Sequence, residues 1–152
     1  MPSTIRQQKV IENLKLQLQK ISIKAGYYSN LGLNVSDWRT TPFEPSELPG
    51  LDIRDSDDVI DDEGALGEIN AWTHMLKTTI EVVCVGTESA ATIRQMIYDV
   101  FKAIKVDTTL GQSVVNIFVR SYKIEAKSDE KKVVGGTIEL DIQFQTNKLS
   151  ES

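Results

Sequence analysis

Seven acids and one base stand within twelve residues of this chain: Asp52, Arg54, Asp55, Asp57, Asp58, Asp61, Asp62 and Glu63. Carboxylates at this density could ligate a hard cation, or divide general-acid and general-base roles between two of them. A calcium loop of the EF-hand type needs oxygen ligands at alternating positions, a glycine at the sixth and a glutamate at the twelfth. Counting from Asp52 puts Glu63 at the twelfth position but Asp57 at the sixth, and starts at Asp55 or Asp57 fit neither anchor. The segment reads as a solvated acidic loop, with a weak surface cation site or a carboxylate pair as its chemical alternatives.

The other reactive groups are few. His74 is the only histidine and Cys84 the only cysteine, so one chain cannot assemble a zinc site of the usual Cys/His type. The two lie ten residues apart on one predicted strand, roughly 30 Å when extended, and cannot form a nucleophile–base pair. His74 is expected to be structural or exposed rather than catalytic, and Cys84 a small core hydrophobe. Gly64-Ala65-Leu66-Gly67 lacks the spacing and the Lys-Ser/Thr ending of a phosphate loop. Neither a catalytic residue nor a resident metal or cofactor is expected.

The chain has 152 residues, 40% of them hydrophobic and 26% charged, which suits one soluble domain over 1–152. The net charge is −5, and the stretch from Asp52 to Glu63 carries −6 of it, leaving the remainder at +1. A body this close to neutral does not suit a nucleic-acid binder, whose affinity comes from clustered Lys and Arg. Lys123, Lys127, Lys131 and Lys132 do cluster, but Glu125, Asp129 and Glu130 interleave with them as on a solvated hairpin end. No apolar run approaches the roughly 20 residues that cross a bilayer, and Met1 to Gln8 holds no apolar stretch of a secretory signal. A reducing, cytoplasmic setting is expected, and no membrane partner.

Positioning elements follow from periodicity. Val10, Ile11, Leu14, Leu18 and Ile21 form one stripe, predicting a helix from Thr4 to about Ile23 that is capped by Thr4 with Gln7 and closed by Gly26. Asn34–Arg39 and Leu51–Ile53 are short strands, separated by Pro42, Pro45 and Pro49, which forbid helix and interior strand between them. A mobile acidic loop follows, at about 55–67. Trp72, Leu76, Ile80, Val82 and Cys84 share one face of a long strand. Thr87 or Ser89 can cap a second helix, in which Ile93, Met96, Ile97, Val100, Phe101 and Ile104 form a broad apolar stripe. Two strands close the chain, Val114–Ile124 and Thr137–Thr146, with Ile138, Leu140, Ile142 and Phe144 turned inward on the last. Trp72, Phe101 and Phe144 are assigned to the core, and Tyr27, Tyr28 and Trp38 to stapling the first helix or facing a partner. The order predicts a two-layer α+β domain: a mixed, mainly antiparallel sheet of four to five strands with two main helices packed on one face.

These segments, in their order, resemble the tail terminator (minor tail protein) family of long-tailed bacteriophages. The resemblance runs through Ile5-Arg6-Gln7-Gln8, Ile11 and Leu14, Ala25-Gly26-Tyr27-Tyr28-Ser29, Leu31-Gly32, Val35 and Trp38-Arg39. It continues in Pro42-Phe43, Glu47-Leu48-Pro49, Ile93-Arg94, Met96-Ile97, Asp99-Val100, Ala103-Ile104, Asp107-Thr108, Gly111 and the closing Gln145-Thr146. Nearly the whole chain is covered; the acidic segment and the Lys127–Lys132 tip have no counterpart in the family pattern.

The resemblance implies a non-enzymatic virion protein, present in the host cytoplasm during assembly. It would form a homo-hexameric ring on the head-proximal end of the tail tube, stop tube polymerisation, and offer the joining surface for the head–tail connector or stopper protein. DNA would pass through the lumen without being read. Asp55, Asp57, Asp58, Asp61, Asp62 and Glu63 are then expected to line the lumen or, preferably, to dock on the tube or connector as a mobile loop. Two alternatives stand beside this: another neck component, such as a head-completion or stopper protein, and a metal-dependent hydrolase using the acidic run.

Overall fold

In a computed structural model of the chain, the described residues are 5–62, 71–88, 90–127 and 132–147, with backbone only for 85–88, 126–127 and 132–134. Helix α1 spans Arg6–Leu18 and helix α2 Ala90–Val106. The strands are β1 (Val35–Asp37), β2 (Gly50–Asp61), β3 (Ala71–Glu88), β4 (Asn116–Lys127) and β5 (Lys132–Asn147). They form one sheet in the order β1-β2-β3-β5-β4, parallel between β1 and β2 and antiparallel elsewhere. Five strands in a mixed sheet with two helices make the two-layer α+β domain that periodicity predicts.

Both helices contribute to a single core. Val10, Ile11, Leu14 and Leu18 of α1 meet Ile93, Ile97, Val100 and Ile104 of α2 above Leu51, Ile53, Leu76, Ile80, Ile138, Leu140, Ile142 and Phe144 of the sheet. Each of these large apolar side chains contributes about 1.5–3 kcal/mol when withdrawn from water. Phe144 is buried and Phe101 half-buried, as expected, but Trp72 is 38% exposed. Trp72 has the parity of the core face; its indole Nε1 donates to Asp62 at 2.6 Å, where both side chains are exposed.

Several boundaries differ from the periodic prediction: β1 is only Val35–Asp37, β4 runs from Asn116 to Lys127, and β5 begins at Lys132 rather than Thr137. Helix α1 stops at Leu18, because Lys20 and Ile21 donate to Gln17 and Leu18 in tighter turns, although Ile21 still reaches the core. Gly26 instead ends a separate 3-10 turn, Ile23–Ala25, at φ 92°, where glycine carries no steric cost. Ile5 occupies the N-cap position of α1 without a side-chain cap; Thr4 and Ser89 lie outside the described residues, and Thr87, the other cap expected for α2, is instead part of β3. Between the strands, Pro45 opens a further 3-10 turn, Pro45–Glu47, a use of proline that the missing N–H permits.

The larger difference concerns the acidic segment. Asp55 to Asp61 is not a loop but the distal half of β2, hydrogen-bonded to β3 with Asp55 opposite Thr78, Asp58 opposite Leu76 and Asp61 opposite Thr73. Local composition argues for a loop; pairing along a long neighbouring strand overrides it. Asp62 is in the turn beyond, and Glu63 to Gly67 of the expected loop lie outside the described residues.

Tight joints lock the connectors to the helices. Asp99, fully buried on the apolar stripe of α2, accepts from the Tyr28 amide at 2.9 Å and from the Ser29 hydroxyl at 2.6 Å. Burial, and after it the Asp99 carboxylate, pushes the Tyr27 phenol above its ordinary value. Gln17 joins the helices by donating to the Ala103 carbonyl at 2.8 Å. Gly32 passes so close to the end of α1 that a Cβ there would overlap the Gln19 and Ile21 carbonyls.

Beyond α2, Leu110, Gly111 and Gln112 are all left-handed, at φ 47°, 68° and 67°. Asp107 holds this turn: Oδ1 accepts from the Thr109 amide and hydroxyl, and Oδ2 from the Gly111 amide. These bonds, the Thr109 hydroxyl first, hold the Asp107 carboxyl below its ordinary value.

Two measurements follow from these joints. Asp99→Ala strands two donors beneath the connector and is expected to cost about 2–3 kcal/mol in urea unfolding, or roughly 5–10 °C in Tm for a chain of this size; Asp99→Asn, which keeps an acceptor, should cost less. Asp107 is depressed in the folded state, so its contribution is present above the ordinary aspartate value near 3.8 and is lost as pH falls through the lower folded value. Asp107→Asn should therefore melt below the parent at neutral pH, with the gap closing under acid; a constant gap across a pH series would remove the Asp107 account.

Candidate functional site: the acidic strand and its partners

Strand β2 carries the acids to two faces of the sheet. Between Asp55 and Asp58 it advances three residues while β3 advances two, a bulge at Ser56 and Asp57. Asp55 and Asp58 consequently share the helix face, opposite Thr78 and Leu76.

Each acid is then taken by a different neighbour. Asp55 accepts from Gln7 of α1 at 2.7 Å through Oδ2 and from the Trp38 indole at 2.8 Å through Oδ1. Asp58 Oδ2 lies 2.7 Å from His74 Nδ1, and His74 Nε2 lies 2.8 Å from the Thr146 hydroxyl. The imidazole stacks flat on Phe144, its cross-strand partner, with ring centroids 4.4 Å apart and 7° between the planes. His74 is 8% exposed, which leaves the buried of the two expected settings, and its partners come from β2 and β5. Asp57 is exposed at the bulge and Asp61 half-buried. Among the described residues no three His, Cys, Asp or Glu side chains gather closely enough to hold a metal ion. The acids stabilise separate joints rather than pooling into one centre.

The docking expectation for Asp55, Asp57, Asp58, Asp61 and Asp62 depended on a mobile loop ordering on a partner. Asp55, Asp57, Asp58 and Asp61 are instead built into the sheet, and that reason falls away.

Chemically, Asp58, His74 and Thr146 have the carboxylate–imidazole–hydroxyl order of a nucleophilic relay. The flat Phe144 contact and the low exposure of His74 fit a buried latch between β2, β3 and β5 better than a proton carrier meeting a substrate. A cavity of about 400 Å³ lies elsewhere, where the proline-rich connector crosses β2 and β3, lined by Arg39, Phe43, Asp52, Arg54 and Glu81. Its charges are already matched. Arg54 Nε donates to Asp52 at 2.8 Å and Nη2 to the Arg39 carbonyl at 2.9 Å. Arg39 Nη2 reaches both oxygens of Glu47, at 2.8 and 3.0 Å, and its guanidinium lies over the Phe43 ring. The Glu44 amide, more than Arg39, holds Glu47 below the ordinary carboxylate range.

Tyr27 packs partly against the core, whereas Tyr28 and Trp38 are 60% and 51% exposed. Sequence reading missed Asp99, Thr146 and the Arg39–Glu47 pair. Asp99 did leave a signal, an acid three residues after Met96 and four before Ala103 on an otherwise apolar stripe. A search against models of known protein families gave no match, and a search of curated proteins gave no significant one.

Replacing His74 tests the latch. His74→Ala removes the stacked ring and leaves Asp58 without its partner, at an expected cost of about 2–3 kcal/mol. Thr146→Val keeps the volume, loses one hydroxyl and should cost about 1 kcal/mol. Thermal unfolding of both, with the double variant, checks whether the effects couple as a shared network requires.

Proposed function

We propose that this chain is a tail terminator of a long-tailed bacteriophage, a structural protein without catalytic activity. It assembles as a hexameric ring on the head-proximal end of the tail tube, ends tube growth and receives the head connector or stopper protein. DNA crosses the lumen unread, and the protein resides in the virion neck after assembly in the host cytoplasm.

The observation that supports this reading most is the pairing of the resembling segments with one another. Tyr28-Ser29 is held by Asp99, 71 and 70 residues further along the chain yet bonded directly to this first connector. Arg39 of Trp38-Arg39 is bidentate on Glu47 of Glu47-Leu48-Pro49, and Asp107 closes on Gly111. Segments of the resemblance thus bond to one another across the fold, which supports reading them as one pattern rather than as scattered hydrophobics.

A hydrolase is the weaker reading. Its acids are engaged singly, and the relay-like order at His74 is the one observation in its favour. A stopper or head-completion protein differs from a terminator only in what it binds.

Electron microscopy and light scattering across a concentration series, repeated with purified tails, test the proposal. Six-fold rings, free or on the tube end, are expected. A strict monomer that also leaves tails unbound would sink the terminator reading, and binding to portal-bearing heads but not tails would favour a stopper.

A further inference from the structure

Resting on the ring reading, we propose which surfaces close the ring: the open half of β2 in one copy pairs antiparallel with β4 of the next. The sheet has two open edges among the described residues. Strand β4 pairs with β5 on one side and ends the sheet on the other. At the far side β1 covers only Leu51 to Ile53, so β2 from Arg54 to Asp61 has no described strand beyond it. An edge strand turns half of its backbone N–H and C=O groups outward, where they readily take another strand.

Three independent features match these edges to each other. Both carry large apolar side chains in water: Val59 and Ile60 on β2, 57% and 52% exposed, and Val119 and Tyr122 on β4, 42% and 53% exposed. Their charges are opposite. Arg54 to Asp61 holds four acids and one base, with Asp57 exposed at the bulge, whereas β4 carries Arg120, Lys123 and Lys127 against Glu125, Arg120 resting on Asp141 of β5 and Lys123 lying beside Glu125. Like edges brought together would oppose like charges, and unlike edges would not. Direction also agrees. Since β2–β3, β3–β5 and β5–β4 are all antiparallel, β2 and β4 run in opposite senses. A neighbour related by rotation about a ring axis keeps those senses, so its β2 meets β4 antiparallel, as most strands in the sheet already do. The contact joins two different patches, which is the kind that closes rings. The competing explanation is that the acids and bulges only shield each edge from pairing.

Cross-linking discriminates between them. In a Cys84→Ala background, Ser56→Cys and Ser121→Cys place thiols on exposed residues of the two edges. With a short bis-maleimide, in solution and on purified tails, a mixture of the two variants should give a covalent dimer and the double variant a ladder of larger species. Neither variant should cross-link to itself. In parallel, Arg120→Glu should weaken association at low salt at least tenfold, and adding Asp57→Lys to the same chain should recover most of the loss. Self-cross-linking of the Ser121→Cys variant, or rings on tails without the mixed product, overturns edge pairing while leaving the terminator reading intact. The mixed product from a protein that ignores tails keeps edge pairing and ends the terminator reading. Absence of any association, with or without tails, overturns both.

Discussion

The one-residue insertion at Ser56–Asp57 is the constraint on which the distribution of charge in this molecule depends. A strand alternates faces with every residue, so an extra residue reverses the assignment of everything that follows. Asp55 and Asp58, three apart in sequence, both turn toward the helix layer and there hold Gln7, Trp38 and His74. With regular pairing Asp58 would face away from His74, and Asp57 would take its place opposite Leu76. A second irregularity, between Val119 and Ser121 on β4, acts similarly at the other edge: it brings Tyr122 to the helix side, against the Phe101 ring at 5.8 Å. The composition of each edge is thus set by a local defect in the ladder.

The helices are tied to the sheet by aliphatic packing, but their connectors are tied by charge-assisted hydrogen bonds. Asp99, Asp107 and Glu47 each accept backbone or hydroxyl donors in a stretch that has no regular partner for them. Such bonds are shorter and stronger than neutral ones and specify geometry as well as stability. They explain how the connectors on either side of β1, between Ile21 and Pro49, and the stretch from Asp107 to Val115 can follow fixed paths.

Periodicity made the two helices, the long β3 and the alternating β5 legible, because burial on one face leaves a repeat that composition does not blur. Ile138, Leu140, Ile142 and Phe144 face the core as their alternation requires. The acidic strand was hidden for the opposite reason: Asp-rich segments disfavour strands locally, and only the length of β3 beside it supplies the missing hydrogen bonds. The burial of His74 was not legible, because its partners lie sixteen and seventy-two residues away and depend on register and on a bulge, neither of which a local pattern encodes. The exposure of Trp72 has a similar origin, since parity assigns it a side of the sheet without saying how far the helix layer extends.

Strand order has a consequence in time. Strand β5, the last of the five to be synthesised, lies between β3 and β4 rather than at a margin. Until its residues have left the ribosome, β3 lacks one of its two ladders and β4 has no place in the sheet at all. The β2–β3 hairpin and both helices can form early, yet the core they cover is floored by Ile138, Leu140, Ile142 and Phe144, which arrive last. Formation of the native sheet must therefore wait for long-range closure late in synthesis, a slow kind of step, and a nascent chain presents no finished surface to its neighbours before it.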